Sequence, residues 1–166
     1  MSNSLPVYGS RRASVTWGGV AFEGFSDDAI ISMERNSDVT DEAVSADGKV
    51  ATSMNPDRSG TITVSLLQTS PTNVLLSSLL FAQEEANTIY KANMVAEEDS
   101  GVIAVGNDAY IKTTPTVGLS KTQQTYEWAF FCDELRFLSL PKGLADDAAV
   151  LAAATSAIEV IKNATT

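Results

Sequence analysis

A chain of 166 residues with 44% apolar and 19% charged side chains is sized for one domain with a hydrophobic core, and it lies outside the composition range of disordered chains. Its formal charge of −10, from 11 Lys and Arg against 21 Asp and Glu, comes with no basic cluster beyond Arg11 and Arg12, which argues against tight binding of nucleic-acid phosphates. Histidine is absent and Cys132 is the single cysteine, so the commonest general base, the commonest transition-metal ligand and any intrachain disulfide are removed together.

The first dozen residues mix Ser, Asn, Gly and Pro without periodicity and read as an arm, 1–12. They lack the charged, apolar, small-residue layout of a secretory leader, so synthesis and retention in a cytoplasm are expected. Apolar runs such as Leu79 to Ala82 fall far short of the roughly 20 residues that span a bilayer, so no membrane span is expected.

Strand patterns then dominate. Ala13 to Trp17 closes at Gly18 and Gly19, and Val20 to Phe22 continues beyond the turn. Ala29 to Arg35 alternates, with Ile31 and Met33 opposite Ser32 and Glu34. Asn36 to Val44 is acid-rich with little to bury, which predicts a solvent-reaching loop or extended hairpin. Asp47-Gly48 is a two-residue hairpin signal, because both residue types tolerate positive φ, and Lys49 to Met54 is the returning strand. Asn55-Pro56-Asp57 ends it.

The strictest alternation is Thr61 to Leu66, with Ile62, Val64 and Leu66 on a dry face and Thr61, Thr63 and Ser65 on a wet one. Ser70 as N-cap and Pro71 at the first helical position then start a helix. Its Leu75, Leu76, Leu79 and Leu80 form the packing face. Further strands are predicted at Thr88 to Val95, Gly101 to Val105, Tyr110 to Thr114, Thr125 to Phe131 and Leu135 to Leu140. After Pro141 the sequence turns Ala-rich, and Asp146 or Asp147 caps a last helix carrying Val150, Leu151, Ile158 and Ile161. The sum is a mainly β fold, a β-sandwich of two packed antiparallel sheets with one flanking helix over 13–140, and a C-terminal helical extension over 141–166.

A search for chemistry finds none. Adjacent acids occur, such as Glu84 and Glu85 or Asp133 and Glu134, but sequence neighbours on a strand point to opposite faces, so adjacency argues for solvated surface and not for a facing pair across a cleft. The acids from Asp38 to Asp47 lack the alternating order and closing Glu of a calcium loop. Gly101 to Gly106 has neither the lysine nor the following helix of a phosphate loop. Tyr126, Trp128 and Phe130 share one strand face and read as core, or alternatively as a stacking platform for sugars or bases. No catalytic residue, metal ligand or cofactor site is assigned.

From Ser45 to Leu80 the order of elements resembles that of phage tail tube proteins. The elements are Ala46-Asp47-Gly48, then Arg58-Ser59-Gly60, then Thr63 to Leu67, then Thr69-Ser70-Pro71 with Asn73. Thr125 to Phe130 is similar to a strand near that family's end, so the resemblance covers about Ala29 to Leu140. It implies a contractile-tail inner tube. In that tube six-fold rings join their inner sheets into one β-barrel, and DNA passes through the lumen during genome ejection without specific binding. It also implies a virion location, assembly in the host cytoplasm, and contacts with sheath, tape measure and tube-end proteins. Channel-lining candidates are Ser32, Glu34, Thr61, Thr63, Ser65 and Glu127. The hairpin that would stack rings carries Asp38, Asp41, Glu42, Asp47, Gly48 and Lys49. At −10 per copy, an acidic channel is expected wherever those acids face inward. The helical extension departs from the family pattern. Alternatives are a non-contractile tail or secretion-system tube, and a monomeric β-sandwich that binds carbohydrate through its aromatic strand.

Overall fold

In a computed structural model, the structure describes residues 13–26, 31–98 and 102–139, together with positions 155, 156, 159, 160 and 163. The strands are β1 (Ala13–Trp17), β2 (Val20–Ala21), β3 (Ile31–Arg35), β4 (Thr40–Val44), β5 (Val50–Met54), β6 (Gly60–Leu67), β7 (Ala92–Glu98), β8 (Val102–Thr113), β9 (Thr125–Cys132) and β10 (Glu134–Ser139). One helix, α1 (Pro71–Ala86), lies between β6 and β7. The predicted arm at 1–12 lies outside the described residues. So does the predicted extension at 141–166, save for the five positions above, which are helical.

Eight of the strands follow one antiparallel path, β2-β1-β7-β8-β9-β6-β3 with β10 on β8, while β4 and β5 form a separate hairpin. The path folds into two layers at β8. Its first part pairs with β7 and β10, and Tyr110 to Thr113 pair with β9. One layer is therefore β2-β1-β7-β8-β10 and the other β8-β9-β6-β3. Two strands, 101–105 and 110–114, were expected where this single bent strand stands. The chain turns without leaving the ladder because Asp108 takes a left-handed φ of 50°. Gly106 meanwhile lets the backbone pass Cys132 so closely that an added Cβ would lie 2.4 Å from its Sγ. The layers are also joined where β10 crosses the start of β6, with the Leu135 amide donating to the Arg58 carbonyl at 2.8 Å.

The core lies between the layers. Val15 and Trp17 of β1 and Met94 and Ala96 of β7 face Ile62, Val64 and Leu66 of β6 and Trp128, Phe130 and Cys132 of β9. The period-two pattern places them there. Trp17 meets Phe130 edge-on at 5.0 Å between ring centroids and donates its indole N–H to the Ala109 carbonyl at 3.0 Å.

Helix α1 starts as its cap predicts, with Ser70 Oγ accepting from the Thr72 amide at 3.2 Å. The stripe that meets the sandwich is narrower than the four leucines suggest. Thr72, Asn73 and Leu76 are buried, Leu79 packs partly, and Leu75 keeps 42% of its surface. The helix ends at Asn87, left-handed at φ 49°. There the Thr88 amide donates to the Gln83 carbonyl and the Tyr90 amide to Gln83 Oε1. Those bonds occupy the backbone of the segment expected to begin a strand at Thr88, so β7 starts only at Ala92. Among the described residues no helix is long and apolar enough to cross a membrane.

Candidate functional site

Strict alternation on β3, β6 and β9 places their polar side chains on the sheet face turned away from the core. The register then aligns them. Ser32 pairs with Thr63, Glu34 with Thr61, and Ser65 with Glu127. All six channel-lining candidates therefore share one face of three neighbouring strands, drawn from segments nearly 100 residues apart in the chain. Ser32, Glu34 and Glu127 are exposed and Thr63 is half-buried. Thr61 and Ser65 differ from a simple wet face, each keeping only 7% of its surface. Thr61 is enclosed because Oγ1 donates to Asn36 Oδ1 at 2.8 Å and the Lys112 ammonium rests 3.5 Å away.

The fourth strand of this face was not anticipated. The last residues of β8 extend it, and a β-bulge lies there, because Ile111 pairs with Phe130 while Thr113 pairs with Ala129. Lys112 is the extra residue. Its ammonium stands 5.8 Å from the centre of the Phe131 ring, and Phe131 in turn packs against Tyr110 at 5.4 Å. Neither Phe131 nor Lys112 shows any sequence signal for this role, since only the register brings them beside Thr61. Charge on the face is modest. Glu34 and Glu127 stand against Lys112, so most of the chain's negative charge lies elsewhere.

The second surface is the β4–β5 hairpin, whose ten strand residues are all exposed. Its tip differs from the two-residue turn expected at Asp47-Gly48. The Gly48 amide donates to the Ser45 carbonyl at 2.9 Å and the Ser45 amide to the Lys49 carbonyl at 2.9 Å. The loop is thus Ala46-Asp47-Gly48, with only Gly48 at positive φ, 80°. This is a type I turn followed by a glycine bulge. It arises because Asp47 stays at negative φ with its carboxylate accepting from Ser45 Oγ, which holds that carboxyl below the usual range. Asp38, Asp41, Glu42 and Lys49 lie along the exposed ribbon and its approach. The polar list missed the apolar half of this surface. Val44 pairs directly with Val50 and Thr40 with Met54, so Val44, Val50 and Met54 share one ribbon face, and Met54 keeps 76% of its surface.

At the root of the ribbon Asp57 accepts from Ser37 Oγ and, at 2.9 Å, from the Ser59 amide. The Ser37 hydroxyl chiefly, with help from the Ser59 amide, lowers its pKa. The Asn36 amide donates to the Ser59 carbonyl at 3.1 Å, and Asn36 Nδ2 to Ser59 Oγ at 3.0 Å.

Other chemistry finds little support among the described residues. The aromatic strand turns Trp128 and Phe130 inward, at 2% and 0% exposure, which leaves those rings unavailable as a stacking platform. Asp133 pairs with Lys91 at 2.9 Å, and Glu134 with Arg58 and Arg136 at 3.3 and 2.7 Å. These acids are surface ion-pair partners. Burial pushes the Cys132 thiol up to about 11, leaving it protonated and inert at neutral pH. No group of three or more metal-ligating side chains occurs among the described residues.

The described residues thus form a sandwich with one broad polar sheet face and a ribbon exposed on both sides. A model of the family described as Bacteriophage PhiTE tail tube protein matches residues 10–138, and the chain belongs to that family. The structural protein ORF10 of Pseudomonas phage KPP10 is 35% identical over 107 residues, which is 63% of this chain and 62% of that protein. The match thus spans less than two thirds of that relative. Among solved structures, the tube-terminating cap of the anti-feeding prophage gives a TM-score of 0.61 at 17% identity, covering 84% of this chain and 95% of that one. The sheath/tube terminator of an extracellular contractile injection system, PVC, gives 0.56 at 16%, covering 82% and 99%. At such identities the likeness is one of fold. The chain is a structural component of the phage tail, with a mainly β, tube-like fold of two antiparallel sheets.

Proposed function

We propose that this chain forms six-fold rings that stack into the inner tube of a contractile tail, with the β3-β6-β9-β8 face lining a channel through which DNA leaves the particle. The observation that carries this reading is the direction of the two edges of that sheet, which no other strand covers among the described residues. Its four strands alternate, so β3 at one edge runs opposite to the end of β8 at the other. Copies related by rotation would present β3 of one to β8 of the next as an antiparallel pair, extending the sheet without interruption until the ring closes. Both edges would otherwise stand as templates for uncontrolled pairing.

The hairpin supplies the stacking contact in this reading. An isolated two-stranded ribbon is marginal in water, and this one exposes Val44, Val50 and Met54, which burial against the adjacent ring would cover. The protein acts without catalysis or cofactor. It is assembled in the host cytoplasm and meets sheath, tape measure and tube-end proteins on surfaces other than the channel.

Negative-stain microscopy of the purified chain tests the proposal, with rings or rods as the expected outcome. A chain that stays monomeric at every concentration, and is absent from tail particles, removes it. Deleting Val39 to Val50 should leave a folded domain by circular dichroism yet stop rings from stacking into rods. Unaltered rods would take the stacking role away from the hairpin.

A further inference from the structure

We propose that Glu34 of one copy and Lys112 of the next form an ion pair across the seam between neighbouring subunits, so that closure of the ring is electrostatically keyed. The inference rests on the tube reading above and adds the residues that join its copies. Glu34 is on β3 and Lys112 on the last part of β8, the two opposite edges of the four-stranded sheet. Both are exposed and both lie on the outer face. Neither belongs to an ion pair among the described residues. The Lys112 ammonium rests 3.5 Å from the Thr61 hydroxyl and 5.8 Å from the centre of the Phe131 ring.

On the outer face of the described strands, an acid on one edge and a base on the other is the charge pattern that a head-to-tail contact satisfies and a two-fold contact does not. Rotation brings unlike edges together, whereas a two-fold axis would set Glu34 against Glu34 or Lys112 against Lys112. Within one chain the two backbones are three strand spacings apart, about 14 Å, and the Lys112 ammonium spans part of that gap to reach Thr61, the pairing partner of Glu34; a neighbour's β3 set beside β8 would bring the two backbones to one spacing.

The test uses Glu34→Cys and Lys112→Cys in one chain, treated under assembly conditions with a short bis-maleimide. Buried Cys132, with its thiol pKa at about 11, stays silent. The expected result is a ladder of covalent oligomers ending at the closed ring, with neither single variant giving more than dimers. If the double variant lacks the wild-type circular dichroism, an equal mixture of the two single variants gives the same answer as mixed dimers.

Charge provides an independent readout. Lys112→Glu alone and Glu34→Lys alone should each raise the concentration needed for assembly about tenfold, as close charge pairs at interfaces do, and the two together should restore it. Wild-type protein that assembles while the cysteine pair gives only monomer bands, or while the double reversal stays as weak as the singles, overturns this pairing and leaves the tube intact. Wild-type protein that never assembles overturns the tube reading itself.

Discussion

Asn73 joins three parts of the molecule through one side chain. Its Oδ1 accepts from the Trp128 indole N–H at 3.0 Å, and its Nδ2 donates to the Leu67 carbonyl at 2.8 Å. The first turn of α1 is thereby tied to β9 and to the end of β6. Trp128 and Asn73 keep 2% and 8% of their surface, so neither group has ready access to water when its partner is removed. Asn73→Ala strands a buried indole donor and should lower unfolding stability by about 2–3 kcal/mol. In urea the midpoint would fall while the slope stays that of the wild type. An unmoved midpoint would mean that water replaces the amide at no cost. The sequence marks Asn73 only as part of a helix start. Its bond to a tryptophan 55 positions away depends on how the helix lies against the sandwich, which no local pattern encodes.

Among the elements, the β4–β5 ribbon buries none of its ten strand residues, and hydrogen bonds at its root join it to the approach to β6. Asp57, bonded to Ser37 and Ser59, acts as the latch there. Asp57→Ala should speed tryptic cleavage at Lys49 severalfold while changing the unfolding stability of the domain in urea by no more than about 0.5 kcal/mol, since the change is remote from the core. Equal cleavage rates would place the ribbon's support elsewhere. The same latch sets a pH dependence. The folded pKa of Asp57 lies below its ordinary value of 3.8, so its contribution is complete above that value and is lost as pH falls through the lowered one. Amide-exchange protection across Thr40 to Met54, measured against the intrinsic rate at each pH, should therefore fall only in solutions more acidic than pH 3.8. Loosening near neutrality would contradict the assignment.

The elements also show what local chemistry encodes. Strict alternation marks β6 and the inward face of β9, and Ser70-Pro71 marks the start of α1, because each is fixed by neighbours in the chain. The continuity of β8 through Asp108 is hidden, since a left-handed Asp followed by more strand residues looks like the turn that separates two strands. The six polar residues of the outer face are legible as wet positions one strand at a time. That they form a single surface, and that Lys112 and Phe131 complete it, follows only from the pairing register.

For the whole molecule the decisive quantity is where its charge lies. A net −10 per chain would make the proposed ring heavily acidic, yet the proposed channel face carries Glu34 and Glu127 against Lys112. A wall of hydroxyls and nearly balanced charge presents few fixed cations to DNA, and cations are what phosphates require in order to bind. Low friction in such a channel would come from a scarcity of attraction rather than from strong repulsion. Glu127 is the residue with which to test this, because it sits on β9 in the interior of the sheet, away from both seams, and is exposed. Glu127→Lys should leave rings and rods unchanged in micrographs, while turning a face with one excess negative charge per copy into one with an excess positive charge. Stacked rings would then carry rows of lysines along the DNA path. Triggered genome release from variant particles, followed with a DNA-binding dye, should be slower than wild type at low salt and recover as salt rises, because each phosphate contact weakens with ionic strength. Release at the wild-type rate in low salt, from particles of normal morphology, would take Glu127 off the channel wall and with it the face on which the tube reading depends.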